Sequence, residues 1–172
     1  MNKIKDPWII SNFFSELEYK KIMSVVNSID KRNWMFEHQF SRYTYSSPIL
    51  DKLSALQLDR ARSEFGTNTL LYTYSMLSFY NRDDSSLKKH KDDNACTYTF
   101  DICLYSEKPW PIVVEGEEYV LKNNEALCFY GEDQYHWRPK IDENNKVLML
   151  FMHWAEPDHI FFQDWSNYEY SY

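Results

Sequence analysis

Glycine is nearly missing from this sequence, with three residues in 172. Tight turns that need left-handed backbone must therefore fall to Asn and Asp, which tolerate that region better than other side chains. Cysteine is scarce too. Cys96, Cys103 and Cys128 sit inside apolar segments with no Cys-x-x-Cys pair. An odd count without that spacing argues against a disulfide framework or a zinc finger, so buried reduced thiols are expected. Basic charge is in deficit, 19 Lys and Arg against 26 Asp and Glu, for a formal net charge of −7. Such a field repels nucleic acid and anionic membrane, and neither is an expected partner. No apolar run approaches a membrane span, and Met1 to Asp6 leads into Pro7 without the apolar core of a secretory signal. The chain is expected to be cytoplasmic.

What the sequence does have is apolar and aromatic mass: 44% hydrophobic and 18% aromatic residues. That suffices for one core, and with no repeat or low-complexity linker the whole of 1–172 reads as a single domain. Pro7 to Phe14 reads as a short anchoring strand. Ser15-Glu16-Leu17-Glu18 has the form of a capping box, with Ile22, Val25, Val26 and Ile29 behind it, which predicts a helix over about 15–30. The alternation of aromatic and polar residues over Asn33–Tyr45 suits a strand or extended loop. Ser47-Pro48, then Ile49, Leu53 and Leu56, with Phe65-Gly66 as the stop, predicts a second helix over about 48–65.

From Thr69 the period becomes two. Strands are expected over 70–80, 96–105 (Tyr98, Phe100, Ile102 and Leu104 on one side), 112–114, 119–121, 126–130, 135–139 and 147–154. Helices followed by about eight short strands at intervals of roughly 8–12 residues predict a mostly β, α+β fold. Its core, 67–154, would be a small barrel or jelly roll, with 1–66 as a helical support region. The tail, 155–172, carries Phe161, Phe162, Trp165 and several Tyr and is expected to pack back on the core.

Within this frame His90-Lys91-Asp92 and His136 stand out. Residues two apart on a strand share a side, so His90 and Asp92 can reach one ion, and His136 begins a later strand. Two imidazoles and a carboxylate on one side of a divalent metal leave its other positions open, the donor set of non-haem Fe(II) oxygenases. The bland alternative is a charged, solvated loop from Lys88 to Asp93. His38, His153 and His159 read as packing or surface residues, and Asp93 has the wrong parity.

The order strand, His-x-Asp, strand, hairpin, turn, strand, His, cation, strand over about Leu70–Trp154 resembles the 2-oxoglutarate- and Fe(II)-dependent dioxygenases. The branch it resembles is that of the prolyl 4-hydroxylases. Tyr135-His136-Trp137-Arg138-Pro139 and Phe151-Met152-His153-Trp154 are similar to blocks in small members of that superfamily. The resemblance implies a double-stranded β-helix, Fe(II) held by His90, Asp92 and His136, and 2-oxoglutarate and O₂ as cosubstrates. It implies hydroxylation of a C–H bond with release of succinate and CO₂, on a small molecule or a peptide, in the nearest analogy an amino-acid side chain. An Asp rather than Ala or Gly at position 92 favours hydroxylation over halogenation.

The distal carboxylate of 2-oxoglutarate would need a cation. In the family it stands about ten residues after the second His, where this chain has Lys146. Arg138, two residues from His136, competes as a bidentate partner. Strand parity divides the two. Lys146 faces inward only with Leu148, Leu150 and Met152, whereas an inward His153 turns Lys146 out and favours Arg138. Tyr80, ten residues before His90, matches a family position whose hydroxyl helps hold the cosubstrate. The loops 34–46 and 81–87 and the tail would line the mouth. Two other readings stay open: a cupin-like metal-binding jelly roll or binding module without oxygenase activity, and an interaction protein without metal.

Overall fold

The computed structural model describes residues 5–162. In chain order the elements are β1 (Trp8–Ile10), α1 (Glu16–Ser28), a 3-10 turn (Lys31–Asn33), β2 (Met35–Glu37), β3 (Arg42–Tyr45), α2 (Pro48–Leu56) and α3 (Leu58–Phe65). There follow β4 (Leu71–Tyr80), β5 (Leu87–His90), β6 (Tyr98–Ser106), β7 (Ile112–Val114), β8 (Glu117–Tyr119), β9 (Glu125–Phe129), β10 (His136–Arg138) and β11 (Val147–Ala155). They form two antiparallel sheets, one of seven strands in the order β1-β9-β6-β11-β4-β3-β2 and one of four in the order β5-β10-β7-β8. This is the double-sheet jelly roll expected from the strand spacing. The positions predicted for the tail from 163 onward lie outside the described residues.

The nine residues of β11 are all buried, because the strand is covered on both faces. Leu148, Leu150, Met152 and Trp154 pack toward Val26, Leu50 and Ala61 of the helices, with Phe100, Ile102 and Leu104 of β6. Val147, Met149 and Phe151 point the other way, into a cluster with Tyr80, Cys103, Trp110, Ile112, Val114, Leu127 and Phe129 between the sheets. Each fully buried Leu or Phe contributes roughly 1.5–3 kcal/mol. With every side chain of β11 committed to one core or the other, a slip of one residue would exchange both faces, and the register is thereby fixed.

The N-terminal region departs from expectation in two places. The capping box at α1 is formed, with the Glu18 amide donating to Ser15 Oγ at 3.3 Å and the Ser15 amide donating to Glu18 Oε2 at 2.9 Å. The single helix predicted over 48–65 is instead two, broken at Gln57, whose backbone (φ −92°, ψ 4°) ends one and starts the other. The buried residues of α2 are Leu50 and Ser54; of the face read from sequence Leu53 packs against the core, while Ile49 and Leu56 are exposed. Asn33–Tyr45 is a hairpin rather than one extended run, with β2 and β3 paired so that Glu37 faces Arg42. The scarcity of glycine shows in the turns. Among the described residues Asn12, Ser41, Glu115, Asn124 and Asn144 take positive φ, three of them Asn.

Candidate metal centre

His90 closes β5 and His136 opens β10, and the two are register partners with ring centroids 4.3 Å apart. Asp92 lies just past the end of β5, so the strand pleat alone does not aim it. Its amide donates to the Gly131 carbonyl at 2.9 Å, which folds the loop back beneath the two rings. Asp92 Oδ1 is then 3.4 Å from His90 Nε2 and 3.4 Å from His136 Nε2. One ligand atom from each of the three residues lies within 4.8 Å of the others.

The hydrogen bonds behind the rings settle which nitrogen is available. His90 Nδ1 is 2.9 Å from the Lys88 carbonyl and His136 Nδ1 is 3.0 Å from the Gln134 carbonyl. A carbonyl only accepts, so each Nδ1 carries the proton and each neutral ring presents an Nε2 lone pair to the Asp92 carboxylate. Three acceptors thus converge with no proton among them, an arrangement that repels itself unless a cation joins it. Without one, the Asp92 carboxylate holds His90 in its protonated form to a higher pH than usual. In that cation-free state burial alone would raise Asp92, but hydrogen bonds from the His136 and His90 rings hold it well below the usual carboxylate range.

The triad opens into a cavity of about 450 Å³ whose wall includes Glu37, Phe40, Arg42, Tyr74, Asp101 and Phe151. The loop 34–46 therefore contributes to the mouth as expected, whereas from 81–87 only Leu87 does, and none of the described tail residues do. His153, read from sequence as a packing or surface residue, faces inward beside the triad, its ring tilted against Tyr74 with centroids 4.6 Å apart. Burial pushes its pKa down to about 4. Asp92, Cys96 and His153 form a second group of donors within 4.8 Å. The Cys96 Sγ already has the Tyr74 hydroxyl at 3.2 Å, whereas His90, Asp92 and His136 offer two imidazoles and a carboxylate around one point, the better donor group for Fe(II). Asp93 also reaches the cavity, but its Oδ1 accepts from the Ala95 amide at 3.4 Å.

The two predicted cations fall in different places. Lys146 lies outside the barrel, where its Nζ donates to Glu107 Oε1 at 3.3 Å, and it borders a separate, more open cleft of about 590 Å³ with Arg82 and Lys140. The reason is parity, since Val147, Met149 and Phe151 take the inward positions of β11. Arg138 is buried, with Nη2 donating to Asp101 Oδ2 and Nη1 to the Trp110 carbonyl, each at 3.4 Å. Burial pushes Asp101 up to about 6, against the pull of Arg138. Tyr80 is fully buried and its hydroxyl accepts from Arg42 Nη1 at 2.9 Å. Arg42 and Asp101 were not singled out from the sequence. Asp101 had a signal, because it occupies the inward parity of a strand whose other face is Phe100, Ile102 and Leu104.

No family model matches the sequence, and no curated protein matches it. Solved structures do. HygX from Streptomyces hygroscopicus, determined with nickel, 2-oxoglutarate and hygromycin B bound, is similar at a TM-score of 0.68 and 12% identity over 88% of this chain and 83% of its own. The viral collagen prolyl hydroxylase of Paramecium Bursaria Chlorella virus-1, in complex with 2-oxoglutarate, gives 0.61 and 12% over 88% and 97%. A Pseudomonas putida prolyl-4-hydroxylase gives 0.65 and 11% over 87% and 92%. The chain has the double-stranded β-helix fold found in 2-oxoglutarate- and Fe(II)-dependent oxygenases.

Proposed function

We propose that this chain is a 2-oxoglutarate-dependent non-haem iron dioxygenase that hydroxylates a C–H bond of a small molecule or a peptide. The observation that carries the reading is the convergence of His90 Nε2, His136 Nε2 and Asp92 Oδ1 on one side of a cavity, with both Nδ1 atoms turned away to backbone carbonyls. Two imidazoles and one carboxylate fit Fe(II) and leave its remaining positions to cosubstrate and O₂. Iron bound there, with 2-oxoglutarate and O₂, supplies the oxidising power that turns C–H into C–OH as succinate and CO₂ are released.

The chain's own residues do the holding. The Lys88 and Gln134 carbonyls fix both imidazole tautomers, and the Gly131 carbonyl fixes the loop that carries Asp92. Phe129 packs on the His136 ring at 4.9 Å between centroids, and the apolar cluster behind it keeps water from that side. The substrate would enter past Glu37, Phe40 and Lys91, a mixed polar rim.

The test is succinate formation from 2-oxoglutarate by the Fe(II)-loaded chain under O₂, with and without candidate substrates. Production by the wild type and its loss in His90→Ala is the expected result. Stoichiometric iron binding without any turnover would favour a metal-binding jelly roll instead, and failure to bind any divalent ion would refute both.

A further inference from the structure

A carboxylate withdrawn from water needs a cation beside it, and the barrel holds two buried arginines. Arg138 has both terminal nitrogens occupied, by Asp101 and the Trp110 carbonyl; its Nε is buried without a partner, and its guanidinium lies 5.0 Å from the Trp110 ring centroid. It does not line the cavity. Asp101 does, so an anion entering on that side would meet a carboxyl rather than a guanidinium.

Arg42 is placed differently. It lines the cavity, reached from β3. Its Nε donates to Glu37 Oε2 at 2.6 Å and Nη1 to Tyr80 Oη at 2.9 Å, which orients the plane and leaves the Nη2 donors uncommitted among the described residues. Phe40 and Phe151 flank it, their centroids 4.6 and 6.0 Å from the guanidinium carbon. Its depth in the barrel follows from the register. Tyr80 pairs with Val147 across β4 and β11, one residue after Lys146, so Arg42 offers charge inside at the level where Lys146 stands outside. Ser78, two residues before Tyr80 and on the same inward face of β4, has a fully buried hydroxyl with no hydrogen-bond partner. A buried hydroxyl of this kind calls for an acceptor.

We propose that Arg42, oriented by Glu37 and joined by the hydroxyls of Tyr80 and Ser78, binds the distal carboxylate of 2-oxoglutarate in place of a cation from the last strand. The assignment rests on the oxygenase reading above. It makes Arg42 a binding residue and Glu37 a positioning residue that acts through it.

The experiment compares two ligands that share the 2-oxo acid end and differ in the distal carboxylate, 2-oxoglutarate and pyruvate. Each is titrated anaerobically into the full chain loaded with Fe(II), and binding is read by calorimetry and by the visible absorption of the complex. The wild type is expected to prefer 2-oxoglutarate by about 100-fold, the scale of a buried charge-assisted pair. R42Q should reduce that preference to a few-fold by weakening 2-oxoglutarate alone, with pyruvate and Fe(II) affinities unchanged, and K146A should keep it in full. Where R42Q does not fold, R42K serves, since loss of the planar fork should still cut the preference about tenfold. Full preference in R42Q, or in R42K where that variant stands in, overturns the assignment and leaves the oxygenase reading intact. Absence of 2-oxoglutarate binding by the loaded wild type overturns both.

Discussion

Gly131 and Asp92 are in such close contact that no side chain fits between them. A Cβ at position 131 would lie 2.3 Å from Asp92 Oδ2, 2.6 Å from the Cys96 carbonyl and 2.8 Å from Thr99 Oγ1. Two of these neighbours are fixed, the carbonyl by the backbone and Thr99 by its place in β6, so Asp92 would have to move. Gly131→Ala is expected to lower affinity for Mn(II) or Ni(II) by about 10- to 100-fold, as for lost outer-shell support. It should also cost roughly 1–3 kcal/mol of stability through overpacking. Metal titration by calorimetry beside a thermal melt checks both, and unchanged metal affinity would contradict the placement of Asp92.

The Arg138–Asp101 pair gives a pH-dependent prediction. Removing one partner of a buried ion pair costs roughly 3–5 kcal/mol, because the other charge is left uncompensated. Asp101 is raised to about 6, so the folded state holds its proton over a range in which the unfolded carboxyl has already lost it. Between the ordinary carboxylate value and about 6, stability from this group therefore falls as pH rises. Arg138→Met should accordingly be much more damaging at pH 8 than at pH 5, and Asn at position 101 in the same chain should remove the difference. Denaturant midpoints of the single and double variants at the two pH values test it.

His153 shifts in the opposite sense. Its folded pKa is pushed down to about 4, so on acidification through the ordinary histidine value the unfolded state takes up a proton that the folded state refuses. Stability is present in full above about 6.5 and is lost as pH falls toward 4, on the order of 3 kcal/mol at 1.36 kcal/mol per unit. His153→Phe keeps a ring against Tyr74 and removes the titration. Its unfolding free energy should drop less than that of the wild type between pH 7 and pH 4. Parallel curves for the two proteins would mean that His153 is already solvated.

How much of this was legible in the sequence depends on what each residue's position follows from. The jelly roll was readable because period-two runs from Leu71 to Ala155 recur with turn signals between them. His136 was readable because it opens such a run and His90 by its spacing to Asp92, although the short strand β5 that carries His90 was not among the expected ones. The loop geometry that brings Asp92 beneath them was not, since it depends on a backbone bond to Gly131. The outward turn of Lys146 was decidable only once it was known which face of β11 meets the helices, because both faces are apolar and parity alone gives two equal solutions. Arg42 was hidden for another reason. The β2–β3 turn uses Ser41 at positive φ, without the Gly or Asn that would have split 33–45 into a hairpin and placed Arg42 opposite Glu37.

β11 also ties the helical layer to the cavity. Met152 looks toward α2 and α3 while its neighbour His153 looks toward the triad, so the same backbone is the floor of one compartment and the ceiling of the other. Close-packed interiors transmit sub-ångström shifts rather than absorbing them. Surface engineering of the helices is therefore not expected to be silent: a substitution that displaces the helical layer by a methyl group's width should be felt at His153 and Phe151, and so in the shape of the cavity they line.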